Sequence, residues 1–173
     1  MFVKWKLPKI KLTAIALIIG LTGCQDQGMI TVPPQTMGAT LNSVVADQQP
    51  RLSYDGRYLV FVSDRSRQRE IFLYDQQQNR LIPLPGLNQV GVFQDQPDLS
   101  ADGRYIVYVS EQSGKPDIWL YDRQTLISEN ITRNQSGEFR HPTISGDGRF
   151  IAFETNYSGR WNISIYDRGG DLP

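Results

Sequence analysis

From about residue 47 onward the chain alternates short apolar runs with polar turns. The first set of runs is Tyr58-Leu59-Val60-Phe61-Val62, Tyr105-Ile106-Val107-Tyr108-Val109 and Phe150-Ile151-Ala152-Phe153. A second set follows: Ile71-Phe72-Leu73-Tyr74, Ile118-Trp119-Leu120-Tyr121 and Ile163-Ser164-Ile165-Tyr166. Each of these is closed by an aspartate, Asp75, Asp122 and Asp167. Runs this rich in β-branched and aromatic residues predict strands. Because they are apolar at consecutive positions rather than alternate ones, they predict strands buried on both faces. A weaker strand is predicted at 80–84 (RLIPL) and at 127–132 (ISENIT). Pro83 cannot donate to a ladder, which places that strand at a sheet edge.

The pattern is periodic. PRLSYDGRY at 50–58, PDLSADGRY at 97–105 and PTISGDGRF at 142–150 open three ungapped copies of 26 residues, spaced 47 and 45 apart. A period of 40 to 50 residues with strand patterning predicts propeller blades, each a four-stranded antiparallel sheet stacked between its neighbours. Asp55-Gly56, Asp102-Gly103 and Asp147-Gly148 fall between two strands and are read as structural turns, since Asp-Gly tolerates positive φ. Ser53, Ser100 and Ser145 can bond the turn backbone. A residue copied in every blade is a poor candidate for a single active site, so function is sought where the repeat breaks. The blades are expected at about 47–88, 95–132 and 139–173. After Tyr166-Asp167 only RGGDLP remains, so residues 40–45 are expected to supply the outer strand missing from the third blade. Three blades are fewer than the usual 4–8. Completion by a homodimer is the expectation, with a capping partner or a fragment of a longer propeller as alternatives.

The N-terminus departs from this pattern. MFVKWKLPKIK is basic and the run from Leu12 to Leu21 is apolar and ten residues long. That is about half the roughly 20 residues a membrane-spanning helix needs, and it reads as a signal peptide. Leu21-Thr22-Gly23-Cys24 resembles the bacterial lipobox. It implies a signal peptide at 1–23 and lipidation of Cys24, the only cysteine in the chain. Residues 25–39, with Gly28, Pro33, Pro34 and Gly38, read as a flexible tether. The expected location is the cell envelope, lipid-anchored and facing the periplasm. Gln25 points to the outer membrane and Asp26 blurs that indication.

Charge changes the picture little. The chain is balanced at 18 basic and 18 acidic residues. Without the four lysines of the first eleven positions, 14 basic face 18 acidic, a net charge of −4. That is no footprint for nucleic acid. No nucleophile-elbow motif is present, and a lone histidine with a lone, lipidated cysteine cannot make a His/Cys metal site. No catalytic set, metal or cofactor is therefore expected. Trp119 and Trp161 are expected in blade packing. His141 is the one histidine, and it stands where the other copies carry Gln49 and Gln96. With Arg140, Arg51 and Asp98 beside the same innermost strand, these residues form the candidate partner-binding site at the channel mouth.

The string P-x-[LI]-S-x-D-G-R-[YF]-[LI]-[VA]-[FY], followed by a strand ending in Tyr-Asp, resembles the TolB-like propeller repeat over residues 47–167. No blade ends in Trp-Asp, which separates it from WD repeats. The resemblance implies an all-β chain of three TolB-like blades of four antiparallel strands, a partial or small propeller. It implies an envelope propeller that binds or scaffolds a protein without catalysis. The alternative is a glycan- or peptidoglycan-binding protein, or a weak hydrolase, using carboxylates and aromatics at the channel mouth.

Overall fold

A computed structural model describes residues 40–169; Cys24, the signal segment and the tether lie outside them. Eleven strands and no helix make up the described residues. The first antiparallel sheet is β1 (Asp47–Leu52), β2 (Tyr58–Ser63), β3 (Glu70–Asp75) and β4 (Arg80–Ile82). The second is β5 (Gln94–Leu99), β6 (Tyr105–Ser110), β7 (Asp117–Asp122) and β8 (Ile127–Asn130). The third is β9 (Phe139–Ile144), β10 (Phe150–Thr155) and β11 (Asn162–Asp167). These are propeller blades, two of four strands and one of three. The first strands are innermost, with β5 against both β1 and β9. β4 ends just before Pro83, at the sheet edge.

The stacking follows from the pleat, which sends successive side chains to opposite faces. Between blades one and two, Val60, Val62, Ile71 and Leu73 meet Leu99, Ile106, Tyr108 and Tyr121, with Leu87 from the loop after β4. Between blades two and three, Val107, Val109, Ile118 and Leu120 meet Phe139, Ile144, Ile151 and Phe153. Thus β6 gives Ile106 and Tyr108 to one core and Val107 and Val109 to the other.

Burial on both faces, expected for all three blades, holds fully only for β6. In the third blade Ile151 and Phe153 are buried, while Ile163 and Ile165 are each 69% exposed. Their counterparts Ile71, Leu73, Ile118 and Leu120 are at most 4% exposed. No blade covers that face among the described residues.

The closing strand expected at 40–45 is not formed. Residues 40–46 are irregular and lie against the first blade, and β11 pairs only with β10 among the described residues. Arg65 holds them there. Its guanidinium stacks on Phe61 and Phe72, pairs with Asp47 at 2.8 Å, and donates to the carbonyls of Thr40 at 2.8 Å and Leu41 at 2.7 Å. Charge-assisted bonds to two carbonyls outcompete a strand pairing that this short segment would have to make far from its attachment.

The turns also differ from the simplest reading. The first loop runs five residues, 53–57, closed by Gly56 N–H to Ser53 C=O at 2.9 Å. Of the Asp-Gly pairs, only Gly56, Gly103 and Gly148 have positive φ. Asp55 instead accepts from the Ser53 hydroxyl and the Arg57 N–H, and Asp102 and Asp147 do the same in their blades. The repeated Arg and the repeated Tyr-Asp then pair across the sheet. Arg57, Arg104 and Arg149 bridge Asp75, Asp122 and Asp167 at 2.9–3.0 Å. These contacts account for most of the conserved spelling DGR…YD within the chain.

Candidate functional site

Each innermost strand carries one irregularity, and the three are equivalent. Gln49 and Pro50 together oppose Phe61; Gln96 and Pro97 oppose Tyr108; His141 and Pro142 oppose Phe153. This is a β-bulge, where proline is tolerated because no ladder donor is required of it. The residue before each proline takes the left-handed conformation, with φ of 54° at Gln49, 52° at Gln96 and 49° at His141. A non-glycine residue held there costs about 1–3 kcal/mol.

The bulge frees a backbone N–H, and the neighbouring blade satisfies it. The Gln96 N–H donates to Gln49 Oε1 at 2.8 Å, and the His141 N–H donates to Gln96 Oε1 at 2.6 Å. The strained residues are thus linked side chain to backbone from blade to blade. Asp98 adds a second link, accepting from Thr143 Oγ1 at 2.7 Å and from the Ile144 N–H at 3.0 Å.

These strands converge on a cleft of about 340 Å³ lined by Gln49, Arg51, Gln96, His141 and Thr143, with Pro97 and Pro142 between them. Four of the six nominated residues line it. Asp98 lies one step beside it, bonded to Thr143. Arg140 is not in its lining: it pairs with Glu154 at 2.7 Å and stacks 3.7 Å over the Trp161 ring. Trp161, expected in blade packing, is instead 41% exposed. Trp119 is half-buried against the first core. His141 lies mid-strand rather than at its start, and its Nδ1 sits 3.3 Å from Glu154 Oε1. The Arg140 guanidinium holds the Glu154 carboxyl below the usual carboxylate range, with His141 adding to the effect. Glu154 was missed from the sequence, although it was detectable: its counterparts are Val62 and Val109. A carboxylate replacing a valine in the repeat, next to a histidine replacing a glutamine, is the signal that points to it.

Chemically, the cleft offers two carboxamides, a guanidinium, an imidazole and a hydroxyl. That set donates and accepts hydrogen bonds in several directions and suits polar backbone or side-chain groups. Among the described residues no group of three or more His, Cys, Asp or Glu side chains is placed to hold a metal ion.

No family model and no curated protein sequence matches the chain. Solved structures do. TolB from Acinetobacter baumannii superposes with a TM-score of 0.62 at 22% identity, covering 76% of this chain and 32% of that one. The fold is that of a TolB-like β-propeller. A putative TolB from Agrobacterium tumefaciens superposes at 0.59 and 20% identity, covering 72% of this chain and 46% of that one. The β-propeller domain of the Trilobed protease from Pyrococcus furiosus, which has an open velcro topology, superposes at 0.50 and 22% identity, covering 71% of this chain and 39% of that one. The chain therefore spans less than half the length of each of these TolB-like and protease propellers. At these identities the likeness establishes architecture and not activity.

Proposed function

We propose that this chain is a lipid-anchored, non-enzymatic propeller of the bacterial envelope that binds a protein partner at the axial cleft. The observation that carries this reading is the cleft lining. Three equivalent residues are held in a costly left-handed geometry at one axis, and one of them, His141, differs from its copies. Fixed, diverse hydrogen-bonding groups on a rigid sheet are what recognition of a polar surface needs. The lipobox at Leu21–Cys24 supplies the anchor and the envelope location, with the periplasmic side as the working face. The share of fold with TolB structures supports a binding or scaffolding role.

The test compares full-length chain in detergent with its His141→Ala and Arg51→Ala variants as bait for envelope extract. A partner retained by the parent and lost in both variants supports the site. Equal retention in all three overturns it. Pelleting with purified cell wall in the same series separates a glycan ligand from a protein one, and wall binding without protein retention would replace this reading.

A further inference from the structure

The two ends of the blade stack are unlike the junctions between blades, and they are unlike in matching ways. Each internal junction repeats the same contacts. The Tyr54 N–H donates to Ala101 C=O at 3.0 Å, and the Ala101 N–H donates to Gly146 C=O at 2.9 Å. The series ends at Gly146. The Tyr58 ring lies 4.5 Å from the Arg123 guanidinium of the next blade, and the Tyr105 ring lies 4.1 Å from that of Arg168. Phe150, the third ring, has among the described residues only Arg149 of its own turn. A Cβ on Gly103 would meet Tyr58 at 2.5 Å and one on Gly148 would meet Tyr105 at 2.5 Å, while one on Gly56 would meet nothing within 4 Å. Phe150 thus lacks a glycine to lie on, and Gly56 lacks a ring.

The core positions match in the same register. Ile163 and Ile165 are open, and their counterparts Ile118 and Leu120 pack with Ile144, Ile151 and Phe153. On the first blade the residues equivalent to those three are Leu52, Leu59 and Phe61. Leu59 and Phe61, with Leu41 and Pro50, line a slot of about 190 Å³ beside the residues 40–46 that Arg65 holds; Phe61 is buried under Arg65, and Leu52 is exposed. The polar replacements match too. Glu154 stands where the internal junctions have Val62 and Val109. The position that Phe139 fills opposite Val109 is taken in the first blade by Asp47, paired with Arg65. An ion pair on one open face, Arg140–Glu154, therefore falls opposite an ion pair on the other, Asp47–Arg65, at the position where the internal junctions hold Val62 with Gln94 and Val109 with Phe139.

We infer that the open face of the third blade docks onto the open face of the first blade of a second copy. The contact is head-to-tail and made twice, so two chains close into one ring of six blades, within the usual 4–8. Phe150 lies on the partner copy's turn glycine, Ile163 and Ile165 enter its slot, and the Arg140–Glu154 pair faces its Asp47–Arg65 pair. The axial cleft is then bounded on all sides, with His141 of each chain beside the first strand of the other. The inference does not depend on what the cleft binds.

The test uses the full-length chain in detergent, with mass read by native mass spectrometry after release from the micelle. A dimer is expected, and Ile163→Glu is expected to raise its dissociation constant about a hundredfold, since it replaces apolar burial with a buried charge. Ile163 is exposed in the single chain, so this variant keeps the parent's circular dichroism spectrum. A photo-cross-linking residue at position 165 fixes the arrangement. A linked peptide from residues 50–62 of another copy supports head-to-tail closure. A peptide from 150–167 means blade three on blade three and overturns it. A monomer, an open-ended series of oligomers, or cross-links only to a different protein overturn it equally.

Discussion

Three ion pairs written identically in the sequence should differ sharply in what they contribute. Asp75, Asp122 and Asp167 each face the arginine of their own Asp-Gly-Arg turn, but their side chains are 1%, 17% and 44% exposed. Asp75 also accepts from two backbone N–H groups, those of Gln77 at 2.9 Å and Gln78 at 3.0 Å. Removing two hydrogen bonds to the buried carboxylate at about 1 kcal/mol each and a charge-assisted pair at about 2 puts Asp75→Ala at about 4 kcal/mol. Asp122 accepts from the Gln124 N–H at 2.8 Å. Its pair is wetter, which puts Asp122→Ala at about 2 kcal/mol. Asp167 pairs in open solvent, and Asp167→Ala should be hard to distinguish from the parent. The assay is equilibrium urea unfolding followed by tryptophan fluorescence. At a slope of about 2 kcal/mol/M the midpoints should fall by about 2 M and about 1 M for the first two variants. Equal shifts in all three, or the largest shift at Asp167, would refute the claim that burial sets the worth of these pairs.

Other outcomes follow from the same contacts. In dilute protein, Gly103→Ala should cost about 3 kcal/mol, combining a strained φ with a methyl driven into the Tyr58 ring, while Gly56→Ala should cost about 1 for φ alone; thermal unfolding of the two variants checks the order. Acid should unfold the chain through its paired carboxylates. Burial raises Asp47, Asp75, Asp117 and Asp122, but hydrogen bonds from Arg65, Arg57, Lys115 and Arg104 and from neighbouring polar groups outweigh it and hold each below its ordinary 3.8. The unfolded chain binds protons more readily at these sites. Their stabilisation is therefore present above pH 3.8 and is lost as the pH falls from there through their lowered values. Urea midpoints measured from pH 6 downwards should be flat and then decline across that window, and a midpoint that holds through it would contradict the pairing.

Much of the architecture was legible because the repeat reports each strand three times. One apolar run is ambiguous between strand and buried helix, but three in the same frame with the same turn are not. The axial placement of Gln49, Gln96 and His141 was legible for the same reason. What escaped was whatever differs between blades. Nothing in FIAF or ISIY says that no blade covers one face of the third sheet, because that exposure depends on a neighbour and not on the strand. The fate of residues 40–46 was decided by Arg65, a turn residue whose reach to two carbonyls has no signature in a hydrophobic pattern. The left-handed bulge escaped because proline usually pushes its predecessor towards extended backbone. Here the bulge holds the opposite geometry in all three blades, at Gln49 as at Gln96 and His141, whose N–H groups the preceding blade accepts. The five-residue turns escaped because Asp-Gly is read most simply as a two-residue loop, and the serine that lengthens it acts through its hydroxyl.

The bulges also separate what the fold requires from what a ligand meets. At each one the protein asks two things of the residue before proline: tolerate the left-handed backbone, and, where a blade follows, offer that blade's N–H an acceptor. Glutamine meets both demands, and other side chains with a lone pair on a short stem can too. The apolar cores use other positions of the same strands, such as Leu99, Phe139 and Ile144, and none of the three bulge residues belongs to them. Substitution at these three positions can therefore change the chemistry presented at the axis, one blade at a time, with little cost to stacking. The glutamine-to-histidine difference at position 141 is one such exchange already made, and it marks the axis as the place where repeats of one ancestry can diverge in what they recognise.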